Sequence, residues 1–175
     1  MPVGNVFKIV TAGDGGVGKT TLLHRYVTNI FLSDTSMTIG VQLHLKQLVL
    51  EGTTYTLQLW DLGGQERFRF VLPQYVNGAR GALLVFDLTR VQSTFDLESS
   101  WLPVLRGGNP NLPVLLVGTK KDMISPSNPM IDPAIPEKLV KDNHLYGYME
   151  VSSESGENVE QTFIMLLEAM LGKLS

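Results

Sequence analysis

The glycine-rich run at residues 13–20, which ends in a lysine and a threonine, constrains this chain more than any other feature. It reads Gly-Asp-Gly-Gly-Val-Gly-Lys-Thr, and it lies between an apolar, strand-like run and a helix-like segment. Glycines there let the backbone approach an anion, and the amide groups at the start of the helix supply partial positive charge. The pattern therefore predicts a loop that holds the phosphates of a nucleoside triphosphate, without distinguishing GTP from ATP.

Two side chains of this loop can add chemistry to the backbone. Lys19 would place a full charge near the β- and γ-phosphates, and Thr20 would offer a hydroxyl to Mg²⁺. The plain alternative is a glycine-rich turn that only caps a helix, and the flanking strand and helix argue against it. We expect these residues to contact the nucleotide: Gly13, Asp14, Gly15, Gly16, Val17, Gly18, Lys19, Thr20 and Thr21.

Short apolar runs alternate with helix-like segments along the 175 residues. Strands are predicted at residues 7–11, 41–50, 54–61, 82–87, 114–119 and 148–151. Helices are predicted at 18–29, 96–106 with a kink or end at Pro103, 137–142, and 158–174 with Asn158 as a possible cap. A proline-rich surface loop is predicted at 125–136.

This alternation predicts an α/β fold in a single domain, residues 1–175. The sheet should have six mostly parallel strands and one antiparallel strand among them, with helices on both faces. Ligands of such sheets bind at the carboxyl ends of the strands. We therefore expect the functional residues in the loops that follow the strands.

Charge and cysteine content exclude several functions. The net charge is −3 and no basic tract stands out, so nothing indicates nucleic-acid binding. The chain has no cysteine for a lipid anchor, and no glycine follows Met1 for myristoylation. No apolar stretch approaches the roughly 18 residues of a membrane span. We expect a cytoplasmic monomer that reaches a membrane only through a missing tail or a partner.

A second motif, Asp61-Leu62-Gly63-Gly64-Gln65, follows the predicted hairpin. Asp61 at the end of a strand could hold Mg²⁺ through water. Gly64 could bring its amide to a γ-phosphate, and the Gln65 amide can accept from a water while donating to a phosphate oxygen. This spacing is a weak signal alone, but together with the phosphate loop it predicts the place where a water attacks.

With these motifs in this order, the sequence resembles the Ras superfamily of small GTPases, and within it the Rab branch. The stretch at residues 60–68 is similar to the Rab second switch, whereas Gly63 departs toward the Arf pattern. The resemblance implies a molecular switch that binds GTP or GDP with Mg²⁺ and hydrolyses GTP to GDP and phosphate. It implies that Gln65 orients the hydrolytic water, that Lys19 and Thr38 complete the catalytic set, and that Gly15 and Gly16 lie near the γ-phosphate.

The segment Thr38-Ile39-Gly40-Val41 resembles the effector segment of Rab proteins. By this resemblance Thr38 supplies a hydroxyl to Mg²⁺ alongside Thr20 and Asp61, and Phe31 stacks edgewise on the guanine. Many relatives carry a tyrosine three residues before this threonine, as a lid over the phosphates. That position is Thr35 here, so the resemblance does not extend to the lid.

Two further segments resemble the family's base-recognition motifs. In Thr119-Lys120-Lys121-Asp122, with threonine first as in the Rho branch, Asp122 can accept hydrogen bonds from guanine N1–H and the 2-amino group, a donor pair that adenine lacks. The stem of Lys120 can lie along the base. In the segment at 151–154, Ser152 would brace the base loop and the Ser153 amide would meet guanine O6. Glu154 replaces the usual lysine, and we expect it to point to solvent.

Apolar residues around the two switches are expected to contact effector proteins: Ile39, Val41, Leu43, Trp60, Phe68 and Tyr75. The alternative is that several of them pack the hairpin against the core, and for Leu43 and Tyr75 the two interpretations stay open. The resemblance also implies an exchange factor and a GTPase-activating protein, since no arginine in the sequence is recognisable as serving the site from within the chain. Two other functions stay open. One is a guanine-nucleotide-binding module with little hydrolysis, suggested by Glu154, Thr119 and Thr35; the other is an ATPase or small-molecule kinase.

Overall fold

The computed structural model describes residues 3–33 and 36–173, apart from the side chains of Val3 and Phe68. The strands in these residues form one sheet and are β1 (Val6–Ala12), β2 (Val41–Leu50), β3 (Thr53–Leu62), β4 (Gly81–Asp87), β5 (Val114–Thr119) and β6 (Gly147–Glu150). Their order across the sheet is β2-β3-β1-β4-β5-β6. β2 runs antiparallel to β3, and the other neighbouring strands are parallel.

The α-helices of the described residues are α1 (Lys19–Thr28), α2 (Leu72–Val76), α3 (Leu102–Arg106), α4 (Ala134–Asp142) and α5 (Val159–Met170). A π-helical segment, Leu97–Trp101, runs into α3. Short 3₁₀ turns are Val3–Asn5, Glu66–Val71, Val91–Thr94 and Lys121–Met123. Within the described residues, no helix has the length and apolar character needed to cross a membrane.

Helices cover both faces of the sheet, as the alternation along the sequence predicts. Successive side chains of a strand point to opposite faces, so Ile9 of β1 packs with α1 and α5 while Val10 packs with α2 and α3. β4 and β5 are buried along their whole length. This explains why both read as uninterrupted apolar runs. The fold is an α/β fold with a mostly parallel six-stranded sheet, which confirms the predicted architecture.

The largest difference from the predicted helices lies around Pro103. The helix predicted at 96–106 is present as the π-helical segment Leu97–Trp101 followed directly by α3, so Pro103 does not end it. Pro103 has no N–H to donate to the preceding turn, and it lies where the helix changes from π to α. The residues before it form the π-helical segment instead of an α-helix.

Other boundaries shift by a few residues. α4 begins at Ala134, so Pro136 lies in its first turn and the surface loop predicted at 125–136 is shorter. α5 ends at Met170, and Leu174, the last residue of the predicted helix, lies outside the described residues. Asn158 precedes α5 in a left-handed conformation, and its side chain donates to the Glu150 carbonyl at 2.9 Å. Asn158 is therefore the N-cap residue of α5, as expected, but its side chain makes no capping hydrogen bond to the helix.

Candidate nucleotide-binding site

A cavity of about 340 Å³ opens at the carboxyl edge of the sheet, where the sequence places the functional loops. It falls within the size range of small-molecule sites. The cavity brings together the phosphate loop, both switches and both base motifs. It is lined by Gly15, Gly16, Gly18, Lys19, Thr20, Thr21, Phe31, Leu32, Ser33, Ser36, Met37, Thr38, Gly64, Thr119, Lys120, Asp122, Met123, Ser153 and Glu154.

The remaining predicted site residues lie behind or beside this cavity. Val17 and Ser152 are buried beneath it, and Gly13 packs against the β4 backbone at Val85. Asp61 is buried behind Thr20. Asp14 faces a neighbouring groove. Most of the predicted site residues therefore line the cavity. Others, such as Asp61 and Ser152, contact residues that line it.

Lys19 is held inside the phosphate loop by the loop's own carbonyl groups. Its ammonium nitrogen Nζ donates to the carbonyl oxygens of Gly13 at 2.8 Å and Asp14 at 2.7 Å. Burial lowers the pKa of Lys19 to about 8, while the carboxylates of Asp61 and Asp14 act to raise this pKa and the Arg90 charge acts to lower it. Burial thus makes the charged form of Lys19 energetically unfavourable, and the negative charge of a bound polyphosphate would stabilise it.

Three oxygen-bearing side chains meet beside Lys19. The hydroxyls of Thr20 and Thr38 are hydrogen-bonded to each other, and the Thr20 hydroxyl donates to Oδ2 of Asp61 at 2.6 Å. Burial raises the pKa of Asp61, against the opposing effects of its hydrogen bond from Thr20 and the charge of Lys19. The other carboxylate oxygen of Asp61, Oδ1, is buried and has no hydrogen-bond partner among the described residues.

Hydroxyl and carboxylate oxygens are the ligands that Mg²⁺ prefers, and the orphaned Asp61 Oδ1 is available to a water bound to such an ion. The residues present therefore fit Mg²⁺. A site of this kind takes its remaining ligands from water and phosphate oxygens. Residues 3–33 and 36–173 contain no cluster of three or more histidine or acidic side chains able to hold a metal.

The base-recognition loop is braced by hydrogen bonds to its neighbours. The Ser152 hydroxyl donates to Oδ1 of Asp122 at 2.8 Å and orients that carboxylate toward the cavity. The Lys120 ammonium pairs with Asp87 at 2.7 Å, which fixes the stem of Lys120 along the cavity wall. The Thr119 hydroxyl lies 2.5 Å from the Val17 carbonyl and 3.1 Å from the Phe86 carbonyl, and its single hydrogen can serve only one of them at a time.

Glu154 stands fully exposed at the rim of the cavity, beside Asp122. Hydrogen bonding to the Asp122 carboxyl and the negative charge of Asp122 raise the pKa of Glu154. Glu154 is exposed to solvent, as expected, and its carboxyl group also lies close enough to interact with Asp122.

Gln65 does not line the cavity. Its amide oxygen Oε1 accepts a hydrogen bond from Nε of Arg67 at 2.9 Å, and its Nε2 lies 3.8 Å from the Met37 sulfur. Met37 itself covers the phosphate loop, because a Cβ added to Gly15 would lie 3.0 Å from its terminal methyl carbon. The lid position noted in the sequence, Thr35, lies outside the described residues.

The two switch segments lie directly against each other and against the phosphate loop. The Gly63 amide donates to the Gly40 carbonyl at 2.8 Å, and a Cβ on Gly63 would lie 2.8 Å from that oxygen and 2.9 Å from the Thr38 carbonyl oxygen. A Cβ on Gly64 would overlap backbone atoms of Asp14 and Gly15. The glycine pair that departs toward the Arf pattern thus permits a close approach of three loops.

The predicted effector residues divide by exposure. Ile39 and Leu43 are 70% and 48% exposed, whereas Val41, Trp60 and Tyr75 are partly buried against the core. The rings of Trp60 and Tyr75 pack with their centroids 6.1 Å apart. The side chain of Phe68 lies outside the described residues. An apolar surface is therefore present at the switches, centred on Leu43 and the exposed edge of the Trp60 and Tyr75 pair.

Three residues near the phosphate loop are not indicated by any sequence pattern. Trp101 donates through Nε1 to Oδ1 of Asp14 at 2.7 Å, and Arg69 approaches the same oxygen at 3.5 Å. Nη2 of Arg90 donates to the Gly15 carbonyl at 3.0 Å. These contacts join residues more than fifty positions apart in the chain, and no local spacing signals them.

A strand, a glycine-rich loop and a helix, with magnesium-type oxygen ligands and an aspartate-bearing base loop at one sheet edge, define the P-loop GTPase class. Residues 8–172 match the Ras family, and the chain belongs to that family. It is 41% identical over 163 residues to Ras-related protein RABA4d of Arabidopsis thaliana, which covers 93% of this chain and 72% of the relative.

Other relatives give the same picture. The chain is 38% identical over 172 residues to Ras-related protein Rab-4B of Homo sapiens, covering 97% of this chain and 78% of the relative. It is 39% identical over 163 residues to Ras-related protein RGP1 of Oryza sativa subsp. japonica, covering 93% of this chain and 70% of the relative. The chain is a Rab-like member of the Ras superfamily, as the motifs indicated.

Proposed function

We propose that this protein is a small GTPase switch, a single G domain over residues 1–175, that binds GTP or GDP with Mg²⁺ and hydrolyses GTP. The observation that carries the proposal is the cavity itself. In one pocket it places the phosphate loop with Lys19, the hydroxyls of Thr20 and Thr38, and the carboxylate of Asp122.

The phosphates would be held by the loop amides and by Lys19, whose ammonium would exchange its contacts with the loop carbonyls for phosphate oxygens. Thr20 and Thr38 would bind Mg²⁺ directly, and Asp61 would hold a water of its coordination shell. The ion, when bound, neutralises charge on the β- and γ-phosphate oxygens.

The base would be read by the loops after β5 and β6. Asp122, oriented by Ser152, would accept hydrogen bonds from guanine N1–H and the 2-amino group. An adenine would leave this carboxylate without those donors. The amide of Ser153 would meet guanine O6, and Phe31 and the stem of Lys120 would cover the two sides of the base.

Hydrolysis would require Gln65 to turn toward the γ-phosphate. The Gln65 amide is engaged by Arg67 in this structure, so the catalytic arrangement forms only when that hydrogen bond is released. The switches would be ordered by contacts of Thr38 and Gly64 with the γ-phosphate and would loosen when it leaves. Effectors would read this state at Ile39, Val41, Leu43, Trp60, Phe68 and Tyr75, on a monomer served by an exchange factor and a GTPase-activating protein.

A second function, nucleotide binding with little turnover, is favoured by one observation. The Gln65 side chain is held by Arg67 outside the cavity. A protein in which this arrangement persists would bind GTP without placing the attacking water.

Two measurements test these functions. Chromatography of the nucleotide released from purified protein should yield guanine nucleotides; adenine nucleotides would contradict the proposal and favour an ATPase or small-molecule kinase. Phosphate release from GTP-loaded protein should then be detectable in single turnover and should be lost in Gln65→Leu. The matched control is Gln74→Leu, a change at an exposed position of α2, which should leave the rate of phosphate release unchanged. Equal rates in wild type and Gln65→Leu would contradict the role of Gln65.

A further inference from the structure

Arg90 is fixed next to the phosphate loop by the turn that follows β4. Its backbone amide donates to the Asp87 carbonyl at 3.0 Å, and its own carbonyl accepts from the buried Ser93 hydroxyl at 2.6 Å. From this anchored position the side chain reaches back, and Nη2 donates to the Gly15 carbonyl at 3.0 Å. The guanidinium is therefore delivered to the loop by rigid structure at the end of a buried strand.

The groove that holds Arg90 opens onto the phosphate end of the nucleotide cavity. Three residues line both spaces: Gly15, Met37 and Gly64. Of these, Gly15 is expected near the γ-phosphate, and Gly64 is proposed to contact it. The Arg90 charge also reaches Lys19, whose pKa it acts to lower. Arg90 and Lys19 thus both lie near the phosphate end of the cavity.

Arg90 and its neighbour Arg69 differ in their acidic contacts. Arg69 lies 3.5 Å from Asp14 and 3.6 Å from Asp96, and it stacks on the Trp101 ring at 4.6 Å. Among the residues that the structure describes, no carboxylate lies within ion-pair distance of Arg90. A guanidinium has five N–H donors, and the bond to Gly15 uses one of them. The others are available to an anion.

We propose that Arg90 is a catalytic arginine supplied by the chain itself, which donates hydrogen bonds to the γ-phosphate oxygens during hydrolysis; this rests on the proposed GTPase function. In that reaction the water oxygen bonds to the γ-phosphorus, and the bond from this phosphorus to the bridging oxygen breaks. The electron pair stays on the β-phosphate of GDP, and the water proton leaves with the released phosphate. Arg90 would stabilise the negative charge that moves through these oxygens.

The planar fork of Arg90 can keep one N–H on the Gly15 carbonyl while another contacts phosphate, so no large movement is needed. Gα proteins, which hold such an arginine within the same chain, hydrolyse GTP at about 10⁻² per second, against roughly 3–5 × 10⁻⁴ per second for Ras without a partner. This comparison sets the scale of the effect expected from Arg90 at about tenfold or more.

The alternative is that Arg90 only braces the phosphate loop. A brace acts equally on bound GTP and GDP, so its loss would weaken nucleotide affinity and leave the rate of the bound complex unchanged. A catalytic arginine gives the opposite result, because its contact strengthens only in the transition state. Affinity and single-turnover rate therefore separate the two roles.

The test compares wild type with Arg90→Ala, Arg90→Lys and the control Arg80→Ala, which removes an exposed arginine next to the opposite end of β4. We expect Arg90→Ala and Arg90→Lys to release phosphate from bound GTP at least about tenfold more slowly, because lysine lacks the planar fork. Their GDP affinities should stay within about twofold of wild type, and Arg80→Ala should match wild type throughout. Thermal unfolding of the GDP complexes verifies that each variant is folded.

A second measurement does not depend on turnover. Fluoroaluminate mimics the planar phosphoryl group in transfer, and ¹⁹F NMR should detect it bound to the wild-type GDP complex without any partner protein. The signal should be lost in Arg90→Ala and kept in Arg80→Ala. Unchanged phosphate release and unchanged fluoroaluminate binding in Arg90→Ala would overturn the inference, as would a loss of GDP affinity with the rate preserved.

The outcomes also separate this inference from the function on which it rests. If wild type binds GTP and releases no phosphate, the proposed hydrolysis fails and the role of Arg90 fails with it. If Gln65→Leu abolishes release while Arg90→Ala does not change it, the GTPase stands and only the role of Arg90 is wrong.

Discussion

The indole nitrogen Nε1 of Trp101 donates a 2.7 Å hydrogen bond to Oδ1 of Asp14, which joins the segment before α3 to the phosphate loop. Trp101 is fully buried, and the guanidinium of Arg69 stacks on its ring while approaching the same carboxylate. Arg69 belongs to the turn that follows the second switch motif. One set of side chains therefore links the phosphate loop, the second switch and the helix layer behind them.

Trp101→Phe should destabilise the GDP complex, because it removes the donor to a partly buried carboxylate while keeping an aromatic ring. Leaving such a group short of a partner costs about 1–3 kcal/mol, measurable by chemical denaturation. Trp60→Phe is a useful comparison, since within the part of the chain that the structure describes the Trp60 Nε1 has no hydrogen-bond partner. A double-mutant cycle with Asp14→Ala should give a coupling of at least about 0.5 kcal/mol. Additive effects would show that the bond contributes nothing.

Gly63→Ala should weaken binding of GTP more than binding of GDP. The added methyl would lie 2.8 Å from the Gly40 carbonyl oxygen and 2.9 Å from that of Thr38, so the segment carrying the Thr38 hydroxyl must shift. Overpacking of this kind costs roughly 1–3 kcal/mol. Competition between labelled GDP and unlabelled GTP analogue measures the ratio.

The matched control for that change is Gly108→Ala, where a Cβ would meet nothing within 4 Å and the backbone is not left-handed. It should leave the ratio unchanged. An unaltered ratio in Gly63→Ala would mean that the contact between the two switch segments does not position Thr38.

Glu154→Lys should tighten GDP binding. The substitution removes a negative charge that interacts with Asp122 and replaces it with a cation beside that carboxylate. At an exposed rim the gain should be modest, about two- to fivefold in dissociation constant, and should shrink at high salt. Fluorescence titration with labelled GDP measures it. Glu137→Lys makes the same charge change at an exposed position of α4 and should leave GDP affinity unchanged. If both variants bind GDP more tightly to the same extent, the change in net charge is the cause.

The unfolding free energy of nucleotide-free protein should depend on Lys19 in alkaline solution. Burial lowers the folded-state pKa of Lys19 to about 8 from 10.5, so between these values the unfolded chain binds a proton that the folded chain lacks. Stability contributed by this group therefore rises with pH across that window, by up to about 1.4 kcal/mol per pH unit. In Lys19→Met the unfolding free energy should lack this rise with pH, whereas in Lys138→Met on α4 the rise should be the same as in wild type. Chemical denaturation across this pH range measures both.

The sheet and the binding loops were predictable because their signals are local. β4 and β5 are continuous apolar runs, and the phosphate loop carries its pattern within eight consecutive residues. The spacing of Asp61 and Gly64 placed the second motif after the correct strand. In each case the property that fixes the structure is contained in a short window of sequence.

The features that were not predicted depend on contacts between residues that are far apart in the sequence. The bonds of Trp101 to Asp14 and of Arg90 to Gly15 form only after the sheet brings the ends of β1 and β4 side by side. The start of α3 at Leu102 depends on how Pro103 is placed, and proline suits both the end and the first turn of a helix. Glu154 illustrates a third limit, since its neighbour Asp122 comes from another strand's loop.

The meeting of Gly64 with the phosphate-loop backbone has a consequence for how such a protein can diverge. The crowded atoms there belong to the main chain, so neither loop can be retuned by exchanging residues at the meeting point itself. A change of side chain can be accommodated beside that contact without moving either main chain. Met37 and Arg90 line the groove there, so substitutions at these two positions can alter the surroundings of the contact while its backbone geometry is kept.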